Sequence, residues 1–330
     1  MAYTTIDDPA QYFQTVLYTG NGSDDRDITL PGDKDMQPDL VWLKSRSTNN
    51  YNHFWTDSVR GVTKYIKSDA NSAENTLSGS VKAFNSDGFR VGTEADVNNN
   101  TTTYVAWCWK EDTTAGFDII TYSGSNSSQD ISHGLGVKPD WILNKIITTT
   151  GDWNVYHDSF AVNERIKLNS TGAKNTNTQI FDALPDSSVI HIGTSGDINT
   201  DGATHIFYAW RAVKGVSKFG ASTGNGNADG VFIYTGFKPA WVMTRQTNGS
   251  NYWHIHDNKR NTFNVVGKNL KAGANNAEED PSGGENSRDF LSNGFKFRNA
   301  DHNNQAHSYI YMAFAESPFV NSNGVPTNAR

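Results

Sequence analysis

The sequence contains a single cysteine, Cys108, in 330 residues, so no disulfide can form within one chain. Zinc sites built from four cysteines, or from two cysteines and two histidines, are excluded for the same reason. Apolar residues never run for the roughly 20 positions that a membrane helix needs. The opening residues also lack the basic and apolar segments of a secretory signal. We therefore expect a protein that is made in a cytosol, without disulfides and without membrane insertion.

Positive charge is scarce too, because 28 Lys and Arg face 35 Asp and Glu, for a net charge of −7. A nucleic-acid-binding protein would need a basic stripe, and none is present, so no nucleic-acid partner is predicted. Hydrophobic residues make up only 36%, yet aromatic residues reach 12% and glycine occurs 29 times. A disordered chain would be short of aromatics, so this composition indicates an ordered, turn-rich β protein.

One pattern occurs three times, each copy with a proline, an apolar run and then an aromatic segment. The prolines, spaced by 101 and 100 residues, are Pro38, Pro139 and Pro239. The tryptophans in the apolar runs are Trp42, Trp141 and Trp241. The aspartates that follow the aromatic segments are Asp57, Asp158 and Asp257. Spacing kept through three copies is typical of an internal repeat.

The repeated segments are short, and some alternate between apolar and polar residues, as in Gly294-Phe295-Lys296-Phe297. Asn-Gly, Asp-Gly and Ser-Gly pairs separate them and suit tight hairpins. We predict an all-β protein of three tandem antiparallel β-sandwich or barrel units, each of about 100 residues. They are unit 1 (residues 1–112, with an N-terminal arm), unit 2 (residues 113–214) and unit 3 (residues 215–330, with a C-terminal tail). The connectors are short, so the units should pack together, and a pseudo-threefold arrangement would be compatible with this.

Candidates for chemistry are few. The repeated aspartates are best explained as turn residues that accept backbone hydrogen bonds. Asp197, Asn199 and Asp201 match the start of a calcium loop, but Tyr208 stands where a bidentate glutamate is required, so a hairpin loop is favoured and calcium binding stays open. His254 and His256 would share one face of a strand without a third ligand, so no metal site is predicted. No catalytic residue and no cofactor are predicted either.

The tryptophans allow two interpretations. Trp42, Trp141 and Trp241 recur in the strand most suited to burial, which indicates core packing. Trp153 and Trp253 lie in segments whose alternate residues are polar, so an edge or surface position is an alternative to the core. Sugar rings stack on exposed aromatic faces, and we therefore consider Trp153, Trp253, His254 and His256 candidate glycan-binding residues.

Several segments resemble a known family. They are MQPDLVWLKSR at 36–46, FNSDGF at 84–89, YVAWCWK at 104–110 and YMAFAESPF at 311–319. Together they are similar to virion proteins of marine tailed bacteriophages, over essentially the whole chain. That family is described as structural or tail-fibre-like, without an established active site, so the resemblance implies no functional residue. It implies a location in the virion, other virion proteins as partners and a homo-oligomer built through a symmetric interface.

The leading hypothesis is a non-enzymatic virion surface protein, fibre-like or adhesin-like, that attaches to the particle and contacts host-surface glycan. A head-decoration or tail-associated structural protein without a ligand is the first alternative, and the absence of a coiled-coil or collagen-like stalk favours it. A glycan-cleaving enzyme is the second alternative, because two carboxylates need only be close in space.

Overall fold

The computed structural model describes residues 3–280, 286–301 and 303–327. Short strands joined by tight turns form nearly all of the regular structure, so the predicted all-β class is confirmed. The helical elements of these residues are the 3-10 turn Pro9–Gln11 and the helices α1 (Ala95–Asn98) and α2 (Gly196–Asn199). None of the helices in the described part of the chain is long and apolar enough to cross a membrane.

The strands follow one another in the same general sequence in each unit. Unit 1 contains β1 (Phe13–Thr19), β2 (Arg26–Thr29), β3 (Leu40–Ser45), β4 (Phe54–Asp57), β5 (Lys64–Lys67), β6 (Asn75–Thr76), β7 (Val81–Asn85), β8 (Gly88–Val91) and β9 (Thr103–Trp109). Unit 2 contains β10 (Phe117–Ser123), β11 (Gln129–Ser132), β12 (Trp141–Ile146), β13 (Asn154–His157), β14 (Glu164–Lys167), β15 (Asn175–Thr176), β16 (Val189–Ile192) and β17 (Thr204–Trp210). Unit 3 contains β18 (Ser217–Thr223), β19 (Phe232–Tyr234), β20 (Phe237–Gln246), β21 (His254–Asp257), β22 (Leu270–Lys271), β23 (Arg288–Leu291), β24 (Gly294–Phe297) and β25 (Ser308–Pro318).

Each unit has one large antiparallel sheet whose first strand pairs with its last. The strand orders are β1-β9-β3-β4-β5-β6, β10-β17-β12-β13-β14-β15 and β18-β25-β20-β21-β22. A small sheet covers one face of each large sheet, with the orders β2-β8-β7, β11-β16 and β19-β24-β23. The described strands close no barrel, so each unit is a two-layer sandwich. The exact boundaries of the three units stay a prediction.

The second faces of the three large sheets meet in one central hydrophobic cluster. All nine tryptophans of the chain belong to it, and none is more than 2% exposed. A large aromatic side chain removes about 150–250 Å² from water when it is buried, and each Å² contributes roughly 25 cal/mol. Burial of the nine tryptophans in this cluster therefore holds the three units together.

A glycine at the end of the first strand and a buried asparagine recur in every unit. The glycines are Gly20, Gly124 and Gly224, where a Cβ atom would lie 2.1 Å from a backbone carbonyl oxygen. The asparagines are Asn98, Asn199 and Asn304, and each side-chain amide donates to two or more acceptors nearby. In each unit, these contacts hold two backbone segments close together. Only glycine fits at this position, because any Cβ atom would collide with the carbonyl oxygen.

Strand register corrects two equivalences that the spacing predicts. Opposite Leu40, Trp141 and Trp241 stand Asp57, His157 and Asp257. Trp42 therefore lies two residues beyond the position shared by Trp141 and Trp241, and the counterpart of Asp57 in unit 2 is His157, not Asp158. The loop that joins β3 to β4 is one residue longer than the loops at the same place in units 2 and 3, which shifts the spacing.

Each unit contacts both of the others through matching backbone hydrogen bonds. The amides of Glu74, Lys174 and Glu278 donate over 2.7–2.8 Å to the carbonyls of Ile147, Thr247 and Arg46, respectively. These bonds join unit 1 to unit 2, unit 2 to unit 3, and unit 3 back to unit 1. We call the three contacts junction 1–2, junction 2–3 and junction 3–1, and together they form a closed ring.

The N-terminal arm lies against unit 3 and strengthens junction 3–1. The hydroxyl of Tyr3 donates to the carbonyl of Gly236 over 2.8 Å. At the start of β1, the ring of Phe13 stacks on Phe314 of β25 with 4.9 Å between centroids. The amide of Ser322 donates to Asp7 Oδ1 over 2.6 Å, so the described parts of the two terminal segments lie close together.

Candidate functional site

The four residues predicted to bind glycan are all buried. The exposed fraction is 0% for Trp153, His254 and His256 and 1% for Trp253. Trp153 directly precedes β13, and Trp253 directly precedes β21, which contains both histidines. Each of these strands lies between two other strands of a large sheet, and both faces of that sheet are covered. The prediction of a glycan-binding surface at these residues is therefore wrong. The alternating polar residues face the interior of a sandwich, and not solvent.

The two tryptophans connect neighbouring units instead. The indole Nε1 of Trp153 donates to the carbonyl of Lys67 in unit 1 over 2.8 Å, and that of Trp253 donates to Lys167 in unit 2 over 2.9 Å. At the same position of unit 1 stands His53, whose Nδ1 accepts from the indole of Trp42 over 2.8 Å. These residues are part of the ring contacts and present nothing to an external ligand.

The candidate calcium loop is organised by its own hydrogen bonds. Asn199 is fully buried, and its Oδ1 accepts from the amide of Ser125 and from Gln129, at 2.8 and 2.7 Å. Asp197 forms an ion pair with Arg165 at 2.7 Å. Both ends of the Asn199 amide are used by the protein, so this segment is a structural loop. Within the described ranges, no group of three or more His, Cys, Asp or Glu side chains is placed to hold a metal ion.

Junction 1–2 is filled by a buried ion-pair network. Arg60 Nε lies 2.5 Å from Asp57 Oδ2, and Arg60 Nη1 lies 3.2 Å from Glu74 Oε2. The hydroxyl of Tyr208 in unit 2 donates to the same Asp57 oxygen over 2.6 Å. The carboxylate therefore has the roles of turn acceptor, ion-pair partner and inter-unit contact at once.

Junction 3–1 repeats this network with different donors. Arg260 Nε lies 2.5 Å from Asp257 Oδ2, and the indole Nε1 of Trp107 in unit 1 donates to that oxygen over 3.0 Å. Glu278 joins the network from the other side, at 3.3 Å from Arg260 and 2.9 Å from Arg46. Two of the three junctions are thus closed by an aspartate, an arginine and a glutamate.

Junction 2–3 lacks all three of these side chains. His157, Phe160 and Lys174 stand at the positions of Asp57, Arg60 and Glu74. Lys174 turns over the ring of Phe160, with its Nζ atom 5.1 Å from the ring centroid, and pairs with Glu164 at 2.6 Å. Because the bulky ion-pair network is missing, a cleft of about 560 Å³ is left between units 2 and 3.

The cleft has an aromatic and aliphatic floor with small polar walls. The floor is formed by Phe160, Tyr309 and Ile310, which are 5%, 1% and 1% exposed. The wall residues are Ser159, Ala221, Ser222, Thr223, Thr247, Asn248 and Ser308. Hydroxyl and amide groups thus surround an apolar floor, and this combination is typical of small-molecule sites.

Unit 3 also lacks a ring that units 1 and 2 carry on the inner face of the first strand. Tyr18 stacks on Tyr104 across the strand pair in unit 1, with 5.1 Å between ring centroids. Tyr122 stacks on His205 in the same way in unit 2, at 5.2 Å. Both tyrosines pack against the interior of their own sandwich. In unit 3 the residue at this position, opposite Tyr309, is Ser222.

The cleft is neutral apart from one paired cation. Burial lowers the pKa of His157 to about 4, so its imidazole carries no charge at pH 7. Burial also raises the pKa of Tyr309 to about 12, which keeps its hydroxyl protonated. Burial and the Lys174 hydrogen bond act in opposite directions on the pKa of Glu164, and the net shift is downward, so this carboxylate is ionised and paired. Such a lining suits binding of a neutral polar molecule.

A second exposed feature lies on the outer face of the small sheet in unit 3. Phe232 is 41% exposed and Tyr234 is 49% exposed, on alternate positions of β19. The same positions hold Asp27 and Thr29 in unit 1, and Asp130 and Ser132 in unit 2. Sequence reasoning missed both aromatic residues. The signal that marks them is the alternation within Val231-Phe232-Ile233-Tyr234, once this segment is compared with the polar copies.

The fold and the cleft define an all-β protein of three joined sandwiches with a cleft at junction 2–3. The chain belongs to the DUF7483 family, described as a domain of unknown function, which matches residues 8–318. A comparison with curated proteins finds no match.

Proposed function

We propose that this chain is a non-enzymatic surface protein of a bacteriophage particle, fibre-like or adhesin-like, which binds a host-surface glycan in the cleft of junction 2–3. The observation that carries the glycan part is the cleft itself, at the junction where Phe160 and Lys174 stand in place of an arginine and a glutamate. The resemblance to phage virion proteins supports the location on a particle.

The chemistry of the cleft fits a sugar. Its volume of about 560 Å³ lies within the range of about 300–1,000 Å³ that is typical of ligand sites. Ser222, Thr223, Asn248 and Ser308 offer hydroxyl and amide groups to sugar hydroxyls, while the floor at Phe160 offers an apolar face. A homo-oligomer would place several such clefts on one particle, and simultaneous engagement would strengthen weak single-site binding.

The test is a glycan array of bacterial surface polysaccharides, probed with the full chain and two variants. Ala221→Tyr places a ring on the face of β18 that lines the cleft beside Ile310 and should fill it, so we expect at least a tenfold loss of binding. Ser132→Tyr is the matched control, because unit 3 carries Tyr234 at that exposed position, and it should bind like the wild type. Equal binding by Ala221→Tyr and wild type would refute the cleft as the site.

The alternatives give different results in the same series. A blank array with the assembled oligomer, together with antibody labelling of the protein on the particle, would support the structural role without a ligand. Shortening of a bound polysaccharide, seen as new reducing ends, would support the glycan-cleaving enzyme. Antibody labelling that finds no protein on purified particles would contradict the virion part of the proposal.

A further inference from the structure

One part of the interior between the two sheets of unit 3 is polar, at positions that are apolar in unit 1. Five positions of the unit 1 core are Leu43, Phe54, Tyr65, Val81 and Val97. Their counterparts in unit 3, by strand register and turn hydrogen bonds, are Thr244, His254, Asn269, Arg288 and Asn303. All five of these are at most 1% exposed. The substitution of polar for apolar residues is therefore concentrated in one enclosed place.

Arg288 is the central residue of this place. Its side chain is fully buried, and its two terminal nitrogens make only long contacts, 3.4 and 3.5 Å, with the hydroxyl of Thr244. The Nε atom has no hydrogen-bond partner. The remaining neighbour is the ring of Phe297, whose centroid lies 5.2 Å from the guanidinium carbon. Among the described residues, no carboxylate forms an ion pair with this cation.

The buried arginines of the β4 and β21 turns both have carboxylate partners. Arg60 is paired with Asp57 and Glu74, and Arg260 is paired with Asp257 and Glu278. A guanidinium stays charged in proteins, and burying it without a counter-charge costs several kcal/mol. Arg288 therefore differs from Arg60 and Arg260, because no carboxylate among the described residues pairs with it.

The side chains around Arg288 offer more donors than acceptors. The hydroxyl of Thr244 donates to Asn303 Oδ1 over 3.1 Å, and Asn303 Nδ2 donates to Asn286 Oδ1 over 2.8 Å, so these acceptors are already occupied. Neither ring nitrogen of His256 forms a hydrogen bond with a side chain. Burial, followed by the nearby Arg288 and Arg260, lowers the pKa of His256, so its ring is neutral and supplies no charge to this place. The missing component is an acceptor with negative charge.

We propose that the interior of unit 3 binds a small free oxyanion or carboxylate, held by the Arg288 guanidinium. The planar fork of an arginine matches two oxygens of one ligand in a bidentate pair. Because Arg288 is enclosed, the ligand must be small enough to be surrounded by protein. The site is separate from the glycan cleft and does not depend on it.

The test compares the thermal unfolding of the full chain in sodium formate, sodium nitrate and sodium gluconate at equal ionic strength. Gluconate is a carboxylate too large to be enclosed, so it serves as the reference salt. We expect formate or nitrate to raise Tm by roughly 2–4 °C at about ten times its Kd, with saturation as the concentration rises. Equal Tm values in all three salts would overturn the proposal.

Variants assign the effect to the site. Arg288→Leu places an apolar residue where units 1 and 2 have Val81 and Phe181, so it should fold, and the Tm difference between salts should vanish. Arg288→Lys keeps the charge without the fork, and it decides the matter if the leucine variant fails to fold, because the difference should then shrink at least twofold. Arg90→Leu, at an exposed position, is the matched control and should keep the full difference. A difference that persists in Arg288→Leu, or that is undiminished in Arg288→Lys, would also overturn the proposal.

Discussion

Units 1 and 3 share the order of the first five strands of the large sheet but differ in the residues that fill it. Unit 1 has an apolar interior and contacts both neighbours through closed ion-pair networks, whereas unit 3 has a partly polar interior and borders the cleft of junction 2–3. What they share is the glycine and the asparagine at Gly20 and Asn98 or Gly224 and Asn304, together with the central tryptophans. Backbone approach and the shared core therefore maintain the fold, and the remaining interior positions are free to differ.

The largest expected change in the free energy of unfolding is at junction 1–2, compared with the equivalent position at junction 2–3. Asp57→Ala removes the carboxylate that balances buried Arg60, and we expect it to lower the free energy of unfolding by about 3–5 kcal/mol. His157→Ala, at the equivalent position of unit 2, leaves no charge unbalanced and should cost about 1–2 kcal/mol. Urea unfolding followed by tryptophan fluorescence measures both. Similar losses for the two variants would mean that the ion pair does not stabilise junction 1–2.

The shared frame should respond alike in every unit. Gly20→Ala, Gly124→Ala and Gly224→Ala each place a Cβ atom against a carbonyl oxygen 2.1 Å away, and each should cost about 1–3 kcal/mol. The three losses should agree to within roughly 0.5 kcal/mol. Thermal unfolding of the three variants tests this, and a loss confined to one unit would show that the frame is not equivalent.

The residue two positions after β5 in unit 1 is Asp69, and its counterpart after β14 in unit 2 is Asn169, so the stability of only the first site should depend on the titration of a carboxyl group. Asp69 Oδ1 accepts from the amide of His53, and Asn169 accepts from the amide of Trp153, both over 3.0 Å. Burial raises the pKa of Asp69 to about 6, above its value in the unfolded chain. The stabilisation from its bound proton is therefore present below about pH 4 and is lost as the pH rises through about 6.

Asp69→Asn should consequently gain stability relative to the wild type between pH 4 and pH 7, by roughly 1–2 kcal/mol. Urea unfolding at the two pH values measures the gain. The mirror variant Asn169→Asp should lose stability relative to the wild type over the same interval. A gain that is equal at both pH values would contradict the assigned titration.

The smallest expected effect concerns the exposed aromatic face. Phe232→Asp gives unit 3 the aspartate that units 1 and 2 carry at the same position, Asp27 and Asp130. The free energy of unfolding should change by no more than about 0.5 kcal/mol. Glycan binding in the cleft should be unchanged on the same array. If Phe232→Asp abolished glycan binding while Ala221→Tyr did not, the binding site would be the outer face of unit 3 and not junction 2–3.

The sequence led to correct predictions where one local pattern had one structural outcome. Alternation in Gly294–Phe297 and the turn glycines predicted short strands and an all-β class, which the structure confirms. The same alternation led to the wrong prediction for Trp153, Trp253, His254 and His256. Period-two alternation separates two faces of a strand, but both faces of β13 and β21 are covered by other sheets.

The cleft could not be predicted from residue spacing, because its recognition requires the three units to be aligned by strand register. Asp158 kept nearly the same distance from its neighbours in the repeat as Asp57 and Asp257, and the one-residue difference in loop length hid His157 as the true counterpart. Without this register, the replacement of the Arg60 position by Phe160 is not visible. In the same way, the absence of an aromatic ring at Ser222 is recognised only because strand register places this residue opposite Tyr309.

The amino-acid sequence by itself determined the class of structure and the large aromatic content, because these follow from local conformational preference and composition. Only the tertiary structure decided which backbone segments approach closely, which polar residues are enclosed and where, among the described residues, an arginine lies without a counter-charge. The physical reason is that burial and pairing depend on distances between segments far apart in the sequence, such as Asp57 and Tyr208, which are 151 residues apart, and one-dimensional spacing does not contain those distances.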